Sequence, residues 1–169
     1  MKQPKTRRSR GFTLTETLAA VLILTLLTGV IAVGISAAVR AKTQLLFTSE
    51  SDLLAATLNT ALGDVLHYAT EPVTEKETVS FTNANYGVLH GQLLCDAESG
   101  KLYLQPSAAP GDRFTLVSDG AYTNLKVSDF QLAYADGLFT GSYIITGGDE
   151  QAKTIPFHFR PLNEASPAK

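Results

Sequence analysis

Little in this chain can be cross-linked. Of its 169 residues one is cysteine, Cys95, so no disulfide can close within it and the fold has to be held by its core alone. Cys95 lies in the apolar run Leu93-Leu94-Cys95 and reads as a small buried hydrophobe. Histidine is scarce as well. His67, His90 and His158 have no second His, Cys or carboxylate at metal-ligand spacing, which argues against a metal centre. No Ser/His/Asp constellation and no glycine-rich phosphate loop stands out, so neither a cofactor nor an enzymatic activity is expected. Gly147-Gly148-Asp149-Glu150 matches by letters the signature of a diguanylate cyclase, but the chain lacks the helices and length such an enzyme needs, and the segment reads as a turn. Glu71, Glu75 and Glu77 read as a solvated acidic loop without the spacing of a calcium site. Internal repeats are absent.

The longest absence is of charge. From Thr17 to Val39 there is no charged residue, and the apolar run from Leu18 to Val39 is 22 residues long. As a helix rising about 1.5 Å per residue it spans the roughly 30 Å hydrocarbon core of a bilayer. A discarded secretory signal also begins with a basic stretch, but its apolar run is about 7–15 residues and a small-residue cleavage site follows. Here Ser36-Ala37-Ala38 is a weak imitation of one, so the run predicts a retained span. Lys2, Lys5, Arg7, Arg8 and Arg10 precede it with no acid among the first eleven residues, and the overall charge of −2 then leaves −7 on the remainder. The bias of Lys and Arg toward the cytoplasmic side puts the N-terminus inside and residues 43–169 outside. The acidic body argues against a surface that tracks nucleic-acid phosphates. One charge is out of place: Glu16, two residues before the long apolar run. A carboxylate at that depth is costly unless paired or interfacial, while a helix N-terminus favours an acid electrostatically. Charge alone leaves both readings open.

The stretch as a whole is more specific. A Lys/Arg-rich leader, Gly11, Phe12-Thr13-Leu14, Glu16 and an uncharged apolar helix closely resemble the N-terminus of type IV prepilins and type II secretion pseudopilins, over about residues 1–40. The resemblance implies cleavage by a prepilin peptidase after Gly11, N-methylation of the new N-terminal Phe12, and a role for Glu16 in filament assembly. The partners it implies are the peptidase, other pilin or pseudopilin subunits, a membrane assembly platform and the lipid bilayer. It places the chain in the bacterial cytoplasmic membrane, and in a cell-surface filament after assembly. Thr15 departs from the branched aliphatic residue common before the glutamate, and Val33 stands where many major pilins carry a helix-kinking proline. With the missing disulfide and low surface Gly/Ser content, the second departure points to a minor subunit. The chemistry is coherent. Cleavage creates an α-amino group with a pKa of about 7.7–8.0, largely cationic at neutral pH, and Glu16 of one subunit could neutralise the Phe12 amine of another inside an apolar bundle. The competing reading is a single-pass anchored extracytoplasmic binding protein outside any filament, in which Gly11 stays uncut and Glu16 is dispensable.

Helical periodicity continues beyond Arg40. Leu46, Leu53, Leu54, Leu58, Ala61, Leu62, Val65 and Leu66 recur largely at i, i+3, i+4 and i+7, with polar residues opposite. This predicts one helix from about Phe12 to Tyr68, roughly 85 Å long, ended by Pro72. The period then changes to two. Strands are expected at 78–82, 88–95, 101–105 and 113–117, with a turn over 96–100. The clearest hairpin centres on Asp136-Gly137, pairing Tyr134 with Phe139, Leu132 with Gly141 and Phe130 with Tyr143, with a bulge near Ser128-Asp129. A last strand over 153–160 puts Ile155, Phe157 and Phe159 on one face, and Leu132 and Phe157 are expected in the core. The expected fold class is α+β and pilin-like: a leader 1–11, a membrane and assembly helix 12–40, its amphipathic continuation 41–70, an antiparallel sheet domain 71–162 and a disordered tail 163–169.

Overall fold

The computed structural model describes residues 13–76, 78–107, 112–148 and 151–162. Gly11 and Phe12, the leader, Glu77, Asp149, Glu150 and the tail lie outside the described residues. The chain divides into two compact units, Met1–Gln44 and Leu45–Lys169. Helix α1 (Leu14–His67) runs for 54 residues, and no proline falls within it. Every residue from Leu14 to Lys42 is exposed, and the helix is long and apolar enough to cross a membrane by length and composition. Its hydroxyls do not interrupt it. Thr17 donates to the carbonyl of Leu14 at 2.8 Å, Thr25 to Leu22 at 2.8 Å, Thr28 to Leu24 at 2.7 Å and Ser36 to Ala32 at 2.9 Å. Each polar group is thereby satisfied within the helix, as a hydrocarbon surrounding demands.

The second unit is built on the C-terminal part of the same helix. Leu54, Leu58, Leu62 and Leu66, four residues apart, are fully buried together with Ala55 and Val65. Leu46 and Leu53, expected in this stripe, are 50% and 70% exposed. The reason is angular: Leu53 precedes Leu54 by about 100° around the helix, and only one of the two can face the core. The strands are β1 (Thr70–Glu75), β2 (Thr78–Asn83), β3 (Val88–Asp96), β4 (Lys101–Gln105), β5 (Phe114–Thr115), β6 (Lys126–Ala135), β7 (Leu138–Thr146) and β8 (Ala152–Phe159), with a short 3-10 turn at Ala84–Tyr86 and a one-turn helix, α2 (Asp119–Tyr122). They form two antiparallel sheets, one ordered β1-β2-β3-β4-β5 and the other β6-β7-β8. The architecture is α+β and pilin-like, with its strands in two sheets where the sequence suggested one.

The Asp136-Gly137 turn joins β6 to β7, both residues at positive φ of 52° and 73°, the backbone of a type I′ turn. Ala135 pairs with Leu138, Tyr134 with Phe139 and Leu132 with Gly141. The register shifts between Ser128 and Gln131, so Asp129 and Phe130 together oppose Tyr143. That bulge replaces the simple Phe130–Tyr143 pair expected from the alternation. On β8, Ile155, Phe157 and Phe159 pair with Tyr143, Gly141 and Phe139. Phe139, Tyr143, Ile145 and Phe157 are buried, whereas Leu132 only packs against the core from its margin. A Cβ at Gly141 would lie 2.1 Å from the Gln131 carbonyl oxygen and 2.5 Å from the Phe157 ring, so glycine is what lets the ring lie across the sheet.

The helix ends for a reason other than Pro72. Its last carbonyls are taken up by the second unit: the Asn83 amide donates to Val65 at 2.7 Å and the Leu162 N–H to His67 at 2.7 Å. Pro72 instead lies inside β1, an edge strand whose register breaks between Thr70 and Val73, where a missing N–H does no harm. Glu71 and Glu75 are strand residues of β1, not members of a loop.

Candidate functional site

Of the site residues singled out by the sequence, Glu16 is the one among the described residues, at the head of α1. Gly11 and Phe12 lie outside the described residues. Glu16 is in the first helical turn and is exposed. It is not idle there. Thr13 holds the position before the helix, its carbonyl accepting the first bonds from Glu16 N at 3.1 Å and Thr17 N at 3.2 Å. The Thr13 N–H donates to Glu16 Oε2 at 3.0 Å, and the Thr13 hydroxyl lies 3.0 Å from the same oxygen and 3.4 Å from the Glu16 N–H. This is a reciprocal capping box: each residue answers a backbone donor of the other. The two readings of Glu16 left open by charge are therefore not exclusive. The acid caps the helix at its positive end, and the cap fixes where its carboxylate stands relative to the chain entering at Thr13.

Thr13 is the residue that sequence reasoning passed over. The signal was legible: Thr13-Leu14-Thr15-Glu16 is the Thr-x-x-Glu spacing of a capping box ahead of an apolar run. Beyond the box the same helix carries Thr17, Thr25, Thr28 and Ser36 with their hydroxyls turned inward to backbone carbonyls. What remains outward is an uncharged apolar cylinder, Leu18 to Val39, with a carboxylate at its start.

The histidines are spread over separate elements. His67 is the last residue of α1 and meets the Phe159 ring edge-on at 5.5 Å; His90 and His158 are exposed on β3 and β8. The Cys95 thiol donates to the Val127 carbonyl at 3.3 Å, and burial, with Asp96 and Asp129 nearby, pushes its pKa up, the opposite of a reactive thiol. Two buried polar side chains that the sequence did not mark tie sheet to helix. Asn83 bonds Val65, and the Tyr143 hydroxyl lies 3.3 Å from the Ala55 carbonyl and 3.0 Å from Asn59 Oδ1.

Residues 6–38 match the family model of the prokaryotic N-terminal methylation motif, an interval that contains Gly11, Phe12, Thr13 and Glu16. No curated protein and no solved structure matches the chain.

Proposed function

We propose that this chain is a type IV prepilin-like protein and that it serves as a minor pilin or pseudopilin, a structural subunit of a type IV pilus-like filament. The observation that carries the reading is the coincidence, on one helix, of the methylation motif with an apolar surface exposed along its whole N-terminal part. A motif of this kind suggests a structural rather than a catalytic protein, processed by a prepilin peptidase and assembled with other pilin subunits. In the proposed sequence of events the chain inserts with its basic leader in the cytoplasm. The peptidase cuts between Gly11 and Phe12, and Phe12 becomes the methylated N-terminus. The assembly platform then draws the helix out of the bilayer into a bundle of like helices, the second unit remaining extracytoplasmic.

Glu16 has a defined part in that bundle. Removal of the leader takes away five positive charges and leaves one, the amine of Phe12. In an apolar surrounding that ammonium needs a partner, and the capped carboxylate of a neighbouring subunit supplies one. The pair sets axial register, because two helices sliding past each other meet it at one offset only.

The test is N-terminal mass spectrometry of the protein made in cells with an active prepilin peptidase. A mature chain beginning at methylated Phe12 is expected, and Gly11→Val, which sets a branched side chain at the cleavage point, should leave the leader attached. Intact Met1 in the unmodified protein would refute the reading and favour a plain membrane anchor.

A further inference from the structure

The two sheets have four edges, and three of them are closed to another strand. β1 carries Pro72 and a register break. β5 is two residues long. β8 carries Pro156 opposite Ser142. The parity of the β6–β7 hairpin makes that last placement meaningful. A two-residue turn closes on a hydrogen-bonded pair, Ala135 with Leu138, and bonded and unbonded pairs alternate from there. Ser142, paired with Gln131, therefore bonds toward β6, and the nitrogen of Pro156 faces the open side of β8. Pro, short length and irregularity are the ordinary means of blunting an edge.

The edge of β6 has one of them, the bulge at Asp129 and Phe130, and from Gln131 to Ala135 it is regular, with neither a proline nor a break. By the same parity the N–H and C=O of Val127, Leu132 and Tyr134 face away from β7. At Val127 they are covered: its N–H donates to the Gly100 carbonyl at 2.8 Å and its carbonyl accepts from the Cys95 thiol. Those of Leu132 and Tyr134 have no protein partner among the described residues. A groove of about 1000 Å³ runs beside this stretch, lined by Val79 and Leu93 on one wall and by Leu132 and Gly141 on the other, with Cys95 and Asp129 also lining it. Among the described residues that line it, Asp129 is the only charged one. It stands exposed at the bulge with φ of 48°.

We propose that the open edge of β6 from Phe130 to Ala135, with the groove beside it, is a strand-addition site for an extended segment of a partner protein. Outward N–H and C=O groups in a row pair with an extended backbone and with little else. Six residues at about 3.3 Å each give a run of roughly 20 Å. Alternate side chains of the incoming strand would enter the groove, whose lining mixes apolar Val79, Leu93 and Leu132 with polar Thr78, Gln131 and Thr140. The sign of Asp129 calls for a Lys or Arg at that end of the segment. This goes beyond the filament reading and does not depend on it: the site belongs to the second unit, and the test below uses neither peptidase nor filament.

The test uses the full chain in detergent and two fluorescein-labelled peptides, Lys-Thr-Val-Thr-Val-Thr-Val and its reverse, so that either strand direction is offered. Fluorescence polarisation should show saturable binding of one of them. Leu132→Pro removes an outward N–H without touching the β6–β7 ladder, as Pro156 does on β8, and should weaken binding at least about tenfold, the loss of about 1.4 kcal/mol. Asp129→Lys should weaken the Lys peptide and strengthen one carrying Glu in its place. N-methylating alternate peptide residues should abolish binding to the unmodified protein. If Leu132→Pro fails to fold by thermal melt, Asp129→Lys and the N-methylated peptides decide. No saturable binding below about 1 mM, the weak end of specific recognition, would overturn the proposal. So would equal binding to folded Leu132→Pro. A concentration-dependent dimer that Leu132→Pro abolishes would show that a second copy is the occupant, and would overturn the assignment to a different partner.

Discussion

Asn83 is fully buried and works at both ends. Its amide nitrogen donates to the Val65 carbonyl in the last turns of α1, and its Oδ1 accepts from the Asn85 N–H at 3.0 Å, capping the 3-10 turn after β2. Asn83→Ala removes both bonds. Asn85 is exposed and its N–H can turn to water, so that loss is modest, about 0.5–1.5 kcal/mol. Val65 is buried, and its carbonyl is left stranded at about 1–3 kcal/mol. The expected loss is about 2–4 kcal/mol, a large part of the stability of a domain this size. Asn83→Asp separates the two ends, because it keeps the acceptor for Asn85 and sets a carboxylate against the Val65 carbonyl. Burial and that carbonyl would raise the new carboxyl's pKa above its unfolded value of about 3.9. An acid with a raised folded pKa is harmless below the unfolded pKa and increasingly destabilising as pH rises through the folded one. Asn83→Asp should therefore be weakest at neutral pH and recover toward pH 4. The assay is urea unfolding of the full chain in detergent, followed by tyrosine fluorescence. All six tyrosines lie at Tyr68 or beyond, so the signal reports the second unit and not the apolar helix. A loss below about 1 kcal/mol in Asn83→Ala, or a pH-independent Asn83→Asp, would refute the bridge.

At Glu16 the capping box sharpens the design: Gln can cap in the same geometry but cannot neutralise an ammonium, so Glu16→Gln and Glu16→Ala should both be inserted, cleaved and poorly incorporated into sheared filaments. If only the Ala variant fails, helix capping and not charge pairing is the role. Phe157→Ala removes a buried ring that lies 5.7–6.0 Å from those of Phe130, Tyr143 and Phe159 and should cost about 3–5 kcal/mol in the same urea assay, whereas Leu132→Ala, at the margin of the core, should cost less than about 2 kcal/mol; equal losses would refute that ranking. Burial raises the Tyr122 and Tyr143 phenols and the Cys95 thiol, so above about pH 8.5–10 the unfolded chain holds fewer protons than the folded one and stability falls as pH rises. Tyr143→Phe should make that alkaline slope shallower, and an unchanged slope would count against the assignment.

What could be read from the sequence was whatever repeats or punctuates. The uncharged run, the Asp136-Gly137 hairpin, the turn over 96–100 and the face shared by Ile155, Phe157 and Phe159 each follow from local period or turn chemistry, and the structure has them. The same reasoning misplaced Leu46 and Leu53 because leucine spacing alone does not say which of two adjacent residues, Leu53 or Leu54, faces inward; the sheets decide that. It ended α1 near Tyr68, within a residue of the observed His67, but assigned the stop to Pro72, whereas the last carbonyls are taken up by Asn83 and Leu162, far along the sequence. The division into two sheets has no local signature at all. At the head of α1 the balance was different: the motif residues were evident, while Thr13, an ordinary threonine to any hydropathy profile, shows its part in the Thr-x-x-Glu spacing and in the N–H and hydroxyl it sets on Glu16.

The solitary thiol has a consequence for where this protein can be made. The Cys95 thiol donates a hydrogen bond to the Val127 carbonyl and sits against the core at the place where β3 meets β6. Nothing in the fold of these 169 residues waits for an oxidant. The second unit should reach the same state in a strong reductant as in air, and no isomerase or electron acceptor sets its rate of maturation. A cell living without oxygen, or one that carries no disulfide-forming machinery, could fold this protein as readily as any other.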